Sequence, residues 1–485
     1  MAKITAVIDI GSNSARMAIF EKTSHFGFHL LYESKSKVRI SENSYEHNGY
    51  LQDEPIQRAI NALKSFLWIA KLHKARKILC VATSAVRDAP NKSILLQKAR
   101  EIGLNIKVID GDRESYLGAL AALNLLPYDS GITLDIGGGS TECALIEKHK
   151  ILDTYSLDIG TIRLKELFLD KGDYKGAYDF IQKHLQKLPE QFKHSRVFGI
   201  GGSARAISKA IQKQIQYPLS TLHAFEYDFL EHKDFIQQIY NTKTQELHKL
   251  GIKEDRLDSI QSGSLIFHLI LEHFRAKKVV TSGVGVREGV FLKDLLNNKT
   301  SFPPNFNPSV RNIKDRFIRN TQLCKYAKFL ASKLFISQKC FHLIPQSFAT
   351  HLLIATELCN VGVALNFYEK HRHSNYILFN ALNYGLTHQD RLLIAFLTQY
   401  NNKKLPNDYP YQQLLPPLEI LQYLCLFVAL ANLLSKNPNP KDFSFTWVEE
   451  NHHLSLCIEH QELSYILKEK LKKLLTPPTL SLKLC

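Results

Sequence analysis

Along residues 1–300, short apolar β-branched runs alternate with stretches whose apolar residues recur at helical spacing. KILCVATSAV (77–86) and NIKVIDGD (105–112) read as buried strands, with the helical pattern SILLQKAREIG between them. IQRAINALKSFLWIAKLH and RESYLGALAALNLL carry the same helical period. Further on, SRVFGIGG (195–202) and AKKVVTSGVG (276–285) predict strands running into glycine turns, each followed by a helix. Two segments repeat one another: VIDIGSNSARMAIF (7–20) and TLDIGGGSTECALI (133–146) share Asp-Ile-Gly, a Ser three residues after that Gly, and a closing Ala flanked by aliphatics. Each predicts strand, tight turn, strand, with a turn that needs either positive φ or close backbone approach. The pattern is that of an α/β protein built from two similar halves. At SFPPNFNPSV the texture changes to a Pro/Asn linker, and an almost wholly helical pattern follows. The predicted divisions are 1–126, 127–302 and 303–485.

Length agrees, because 485 residues exceed what one core usually organises. The balance of 45% hydrophobic and 22% charged residues is that of an ordinary globular protein. The opening MAKITAVIDIGSNS has no apolar stretch long enough for a signal peptide, and no window of 18 uncharged apolar residues occurs, so a cytoplasmic, membrane-free protein is expected. The eight cysteines are scattered without a C-x-x-C pair, which predicts reduced, mostly buried thiols. A net charge of +16 favours polyanionic partners. Residues 301–485 carry half of it, with 20 Lys+Arg against 12 Asp+Glu, which suits a domain that helps to hold a long anion. No basic arm, RNP-type pattern or Cys/His finger is present, so DNA-specific binding is not expected.

The two glycine turns are where chemistry concentrates. Backbone N–H groups at such turns converge on anions, and Gly11, Ser12, Asn13 and Ser14 in one turn, with Gly137, Gly138, Gly139, Ser140 and Thr141 in the other, can hold two sides of a phosphate. Asp9 and Asp135 would repel that phosphate unless a hard divalent cation lay between them, Mg²⁺ being expected and Mn²⁺ compatible with the same ligands. Just past a strand end, Thr83 and Arg87 add a hydroxyl and a bidentate cation. In IDGDRES the acids Asp110, Asp112 and Glu114 crowd a helix start. One of them, facing a site that already holds Asp9, Asp135 and Glu142, could take a proton from water, although Asp-x-Glu there also serves as a plain cap. Chemistry alone leaves Asp112 and Glu114 open. A Rossmann reading of GGGST fails because a strand, ECALI, follows it, and no Walker A motif occurs.

Taken in order, VIDIGSNSARMAIF, ATSAVRDAPN, IDGDRESYLGALA, LDIGGGSTE, LDIGTIRLKELF, FGIGGSARAIS and SGVGVREGVFL resemble the exopolyphosphatases and guanosine pentaphosphate phosphatases of the actin-like acetate and sugar kinase superfamily. The resemblance implies two ribonuclease-H-like domains with a cleft between them, and release of terminal phosphate from inorganic polyphosphate or from pppGpp, with ppGpp as product. It implies Glu114 as the base. It also puts the first turn (Asp9, Gly11–Ser14) and the second (Asp135, Gly137–Glu142, with Glu142 on the metal) against phosphate and cation, and Arg87 against the phosphate chain. Gly201, Gly202 and Ser203, with Gly283–Gly285, match the superfamily's nucleoside-side turns. The C-terminal region resembles an all-α, HD-like domain through LCNVGVALNFYEKHRHSNYIL (358–378), yet Cys359 and Asn360 stand where a His-acid doublet is sought, leaving His371 and His373. That domain is therefore expected to bind or dimerise, and the resemblance implies a homodimer.

Two other functions compete with the hydrolase. A phosphotransferase of the same superfamily would turn Glu114 toward an acceptor hydroxyl, and a non-catalytic sensor of guanosine tetraphosphate or polyphosphate would have no need of a base.

Overall fold

The computed structural model describes residues 3–485 except 45, 298, 402–403, 408–409, 438 and 451–452. It divides into two compact units, Met1–Phe306 and Asn307–Cys485.

The first unit holds two sheets laid out alike. β1 (Lys3–Ile10), β2 (Ala15–Lys22) and β3 (Phe28–Ser36) form an antiparallel meander, followed by α1 (Asp53–Leu72), β4 (Lys77–Ala82), the short α2 (Ser84–Arg87), α3 (Lys92–Glu101), β5 (Lys107–Val108) and α4 (Gly111–Leu125). The sheet order is β3-β2-β1-β4-β5. The second half repeats the plan with β6 (Gly131–Ile136), β7 (Thr141–Glu147), β8 (Lys150–Leu157), α5 (Thr161–Leu167), α6 (Tyr174–Leu185), β9 (Arg196–Ile200), α7 (Gly201–Gln214), β10 (Glu226–Asp228), α8 (Phe229–Asn241), α9 (Ile260–His273), β11 (Lys278–Thr281) and α10 (Val286–Leu296). Its order is β10-β11-β9-β6-β7-β8, the first sheet's plan with β10 added at the edge. These are the two ribonuclease-H-like layers of an actin-like fold.

Local chemistry explains the elements. α1 begins with Asp53, Glu54 and Pro55, which suit a helix N-terminus, and buries Ile56, Ala59, Ile60, Leu63, Phe66 and Ala70 along one face. The strand patterns at 77–86 and 105–112 prove longer than the strands themselves. Backbone pairing stops at Ala82 and Val108, and the residues beyond start α2 and α4.

The halves are not separable at 126/127. α4 packs on β6, β7 and β8 of the second sheet, while α10 returns to β1 and β2 of the first, with Phe291 stacked on Phe20 at 4.3 Å. Each half thus lends a helix to the other, and one compact unit results. Such exchange depends on pairings far apart in sequence, which periodicity does not report.

The second unit contains α11 (Pro308–Phe317), α12 (Thr321–Ser337), α13 (Ala349–Leu358), α14 (Lys370–Ala381), α15 (His388–Gln399), α16 (Leu418–Leu434) and α17 (Tyr465–Leu471) around a core that includes Leu330, Leu352, Ile394, Leu424 and Phe427. It is helical but not all-α. β12 (Ser444–Glu450), β13 (His453–Glu459) and β14 (Leu480–Leu484) make a three-stranded sheet, whose period-2 signal is visible in Phe445/Trp447 and Leu454/Leu456/Ile458. One stretch, Gln346–Ala364, is apolar and long enough to cross a membrane by composition. It contributes Leu352, Ala355 and Leu358 to the core, and its Glu357 pairs with Lys314 and Lys328, which is the behaviour of a core helix. All eight cysteines are free; Cys340 and Cys485 are exposed and Cys457 is half-buried.

Candidate active site

The two hairpin turns have the same backbone. Gly11 N–H donates to Ser14 O at 3.1 Å and Gly137 N–H donates to Ser140 O at 2.9 Å. Neither glycine has positive φ, so what the turns require is close approach. A Cβ on Gly138 would lie 2.6 Å from Ser12 Cβ and 3.1 Å from Ile162 Cδ1, so the turns face one another in contact only because residue 138 has no side chain. The second turn is anchored through its carbonyls, Gly137 O accepting from Thr161 N–H and Gly138 O from Ile162 and Arg163 N–H. The first is held by Ser41 N–H on Ser12 O and Arg39 N–H on Asn13 O. Among the described residues, none of the N–H groups of Ser12, Asn13, Ser14, Gly138, Gly139 and Ser140 donates to another backbone carbonyl. Carbonyls are used for architecture and amides remain for a ligand.

α4 delivers the acid. Asp110 caps it, accepting from Arg113 N–H at 2.7 Å, Asp112 is exposed, and Glu114 turns into the cleft. Gly111 makes this possible, since any Cβ there would collide with Ser156 of β8. Ser115 ties the same turn down by donating to Cys143 O at 2.5 Å. Arg87 Nη1 reaches Glu114 Oε2 at 3.2 Å, and the ion pair outweighs the burial that would lower the guanidinium pKa.

Asp9, Glu114, Asp135, Glu142 and Glu288 line one cavity of about 160 Å³ together with Arg16, Arg205, Arg256 and Arg287. Burial raises Asp9 to about 6 against the pull of Arg287 and Arg16, and raises Asp135 against Arg205 and Arg16. Glu114 is pushed well above the usual carboxylate range by burial and by the neighbouring Glu142, which is itself raised by burial despite hydrogen bonds from Ser140 (2.5 Å) and Ser156 (3.1 Å). Among these acids Arg205 falls to about 10, through burial and the repulsion of Arg16 and Arg287. Arg16 is lowered by burial and by Arg287, whereas Glu288 and Glu33 raise Arg287 against its own burial, and the three guanidiniums together make a positive wall that suits an anion.

Of the residues expected from sequence, Asp9, Gly11–Ser14, Thr83, Glu114, Asp135, Gly137, Gly138, Glu142 and Gly201–Ser203 line the cavity. Gly139, Ser140, Thr141 and Arg87 are not part of that lining. The hydroxyls of Ser140 and Thr141 donate inward, to Glu142 Oε1 at 2.5 Å and Ile159 O at 2.6 Å, and Arg87 acts on Glu114. Gly201, at φ 83, opens α7 where a Cβ would collide with the Asp135 carboxylate. The arginine wall is what sequence reasoning passed over: Arg16, Arg205 and Arg287 each stand a few residues beyond a glycine turn already singled out.

A divalent cation suits the acidic side. Asp9 Oδ1 is buried with no hydrogen-bond partner among the described residues, an orphaned oxygen that a cation would satisfy. No group of three or more His, Cys, Asp or Glu side chains that could hold a metal occurs among the described residues. In the second unit Cys359 is buried, Asn360 donates to Asn432 Oδ1 at 2.6 Å, and His371 lies 3.7 Å from Glu369.

The sequence pattern of the Ppx/GppA phosphatase family matches residues 18–298, and that family's domain III matches 307–473. The chain belongs to the Ppx/GppA phosphatase family. Among its Ppx/GppA relatives of known structure, the Aquifex aeolicus member is 26% identical with a TM-score of 0.53, covering 62% of this chain and 100% of that one. An exopolyphosphatase from Cytophaga hutchinsonii, 23% identical over 62% of this chain and 100% of that one, shares the fold with a TM-score of 0.57. Among curated proteins, the guanosine-5'-triphosphate,3'-diphosphate pyrophosphatase of Photobacterium profundum is 25% identical over 94% of this chain and 92% of its own. The bifunctional 3-dehydroquinate synthase/phosphatase of Fusobacterium nucleatum is 29% identical over 61% of this chain, which spans only 47% of that protein's length.

Proposed function

We propose that this chain hydrolyses the terminal phosphoanhydride bond of inorganic polyphosphate, releasing one orthophosphate per turnover. The observation that carries the reading is Glu114: of three acids at the start of α4 it is the one that enters the cleft between the two turns, with its proton affinity raised by burial. A carboxylate of raised pKa suits the acceptance of a proton near neutral pH.

The amides of both turns hold the terminal phosphate oxygens, and the wall of Arg16, Arg205 and Arg287 faces the rest of the anion. Glu114 takes a proton from a water placed in line with the bridging oxygen. The new P–O bond forms as the bridging P–O bond breaks, and the shortened chain leaves with the bridging oxygen. Arg87 is a positioning residue that orients the Glu114 carboxylate and favours its ionised form. Of the acids Asp9, Asp135 and Glu142, Asp9 with its unpartnered Oδ1 would be the one to hold Mg²⁺ or Mn²⁺, together with water and the substrate phosphate. The bound cation would neutralise charge on the phosphate oxygens.

Two observations favour an inorganic chain over a nucleotide. A cavity of about 160 Å³ is below the roughly 300–1,000 Å³ of sites that enclose a whole ligand, so it suits a chain end. Arginine side chains also cross the nucleoside-side turns where they line the cavity. Arg205 bonds across Gly201 O (2.9 Å) and Gly283 O (3.1 Å), and a Cβ on Gly202 would lie 2.9 Å from Arg256 Cζ. Hydrolysis of pppGpp to ppGpp is the second reading, favoured by the near full-length similarity to the Photobacterium pyrophosphatase. A cytoplasmic homodimer completes the proposal.

The test is orthophosphate release from long-chain polyphosphate and from pppGpp, each with Mg²⁺. The expected result is faster release from polyphosphate. Faster release from pppGpp would select the second reading, and no release from either substrate would overturn the hydrolase.

A further inference from the structure

A larger cavity than the cleft, about 400 Å³, lies in the first unit on the far side of α4. β5 is only two residues long and pairs only with Val81 and Ala82, so the edge of β4 before them has no neighbouring strand, and the cavity opens there beside Leu79 and Val81. α4 and α10 form its sides. The two helices touch at Gly289, where a Cβ would collide with Leu117 O, and from that crossing they frame the cavity.

Its chemistry is of two kinds. The floor is aliphatic, formed by Val81, Leu120 and Val290 among others, with Tyr116 at the side and the Arg113 guanidinium 5.0 Å from the tyrosine ring centroid. The rim is cationic, with Lys107, Lys293 and Lys299, all exposed, joining Arg113. The one carboxylate in the lining, Asp294, is already paired with Lys77. A bare polyphosphate would gain the cations but not the apolar floor, where burying phosphate oxygens is costly. A planar base on the floor against Tyr116 and Arg113, with phosphates at the lysines, satisfies both.

We infer that this cavity is a second ligand site, separate from the catalytic cleft, for a nucleoside polyphosphate. It is coupled to the cleft through its walls. Arg113 and Tyr116 flank Glu114 on α4, and α10, which contributes Val290 and Lys293, carries Arg287 and Glu288 of the cleft in its first turn. A bound nucleotide therefore bears on the two helices that present the base and one arm of the arginine wall.

The test uses the full chain carrying Glu114→Gln to prevent turnover, titrated calorimetrically with GTP and with tripolyphosphate. Lys107→Glu/Lys293→Glu reverses two exposed charges and leaves the core intact; Arg205→Ala perturbs only the cleft. The expected result is GTP binding that weakens at least about tenfold in the charge-reversed chain and persists in Arg205→Ala, with tripolyphosphate about tenfold weaker at this site. Tyr116→Ala should weaken GTP and leave tripolyphosphate unchanged. GTP binding that survives charge reversal, that is lost only in Arg205→Ala, or that is undetectable at about 1 mM would overturn the proposal, and equal binding of tripolyphosphate would overturn the nucleoside assignment. These outcomes do not depend on whether the cleft hydrolyses polyphosphate.

Discussion

The β1–β2 and β6–β7 hairpins keep one backbone and differ in charge at a single register position. Asp9 pairs with Arg16 across the first ladder, and Asp135 pairs with Glu142 across the second. The first hairpin thus brings a cation beside its aspartate and the second brings another acid. Their turns differ accordingly: one offers Ser12, Asn13 and Ser14, the other offers glycine backbone pressed against Ser12. A duplicated element has become one arm that attracts an anion and one that collects negative charge, and phosphate chemistry assisted by a cation needs both.

The comparison can be broken most severely by making the first hairpin like the second. Arg16→Glu should raise KM for polyphosphate by more than about 100-fold, and Arg16→Gln by about tenfold, measured by steady-state orthophosphate release. The next effect comes from the turns. Gly138→Ala places a methyl group against Ser12, so kcat/KM should fall by about 10- to 100-fold. Gly11→Ala meets only Ser14 O at 3.6 Å and should change kcat/KM by less than about threefold. Equal losses in the two alanine variants would mean that contact between the turns does not matter.

Smaller effects concern protons. Arg87 opposes the rise in the proton affinity of Glu114 caused by burial and Glu142. Arg87→Ala should therefore move the acid limb of the kcat profile to higher pH, costing severalfold at neutral pH and less at pH 9. Last is stability. Glu142 binds its proton more tightly folded than unfolded, so its contribution is full below the ordinary carboxylate range and is lost as pH rises through the folded value. Glu142→Gln should gain about 1–2 kcal/mol at pH 8 over wild type in urea unfolding, shrinking toward pH 4, while activity falls.

What could be read from sequence was local. Asp-Ile-Gly twice, each between β-branched runs, reveals both turns, because strand, turn and strand are set within fourteen residues. Choosing Glu114 over Asp112 depends on the rotation of α4, which Asp110 fixes by capping and Gly111 by its approach to Ser156; the cap lies within the motif, but the approach to Ser156 does not. Arg16, Arg205 and Arg287 converge from β2, α7 and α10, so each reads alone as a surface cation. The return of α10 to the first sheet and the addition of β14 to the late sheet rest likewise on long-range pairing, whereas the β12–β13 hairpin is local.

The central claim is that Glu114 activates water against the end of a polyphosphate chain held between the two turns. Orthophosphate release from polyphosphate with Mg²⁺ in heavy-oxygen water, by wild type and Glu114→Gln side by side, tests it most directly. The account predicts heavy oxygen in the released orthophosphate and a loss of about 10²- to 10⁴-fold in the variant. Release by Glu114→Gln at the wild-type rate, or orthophosphate without the label, would contradict it.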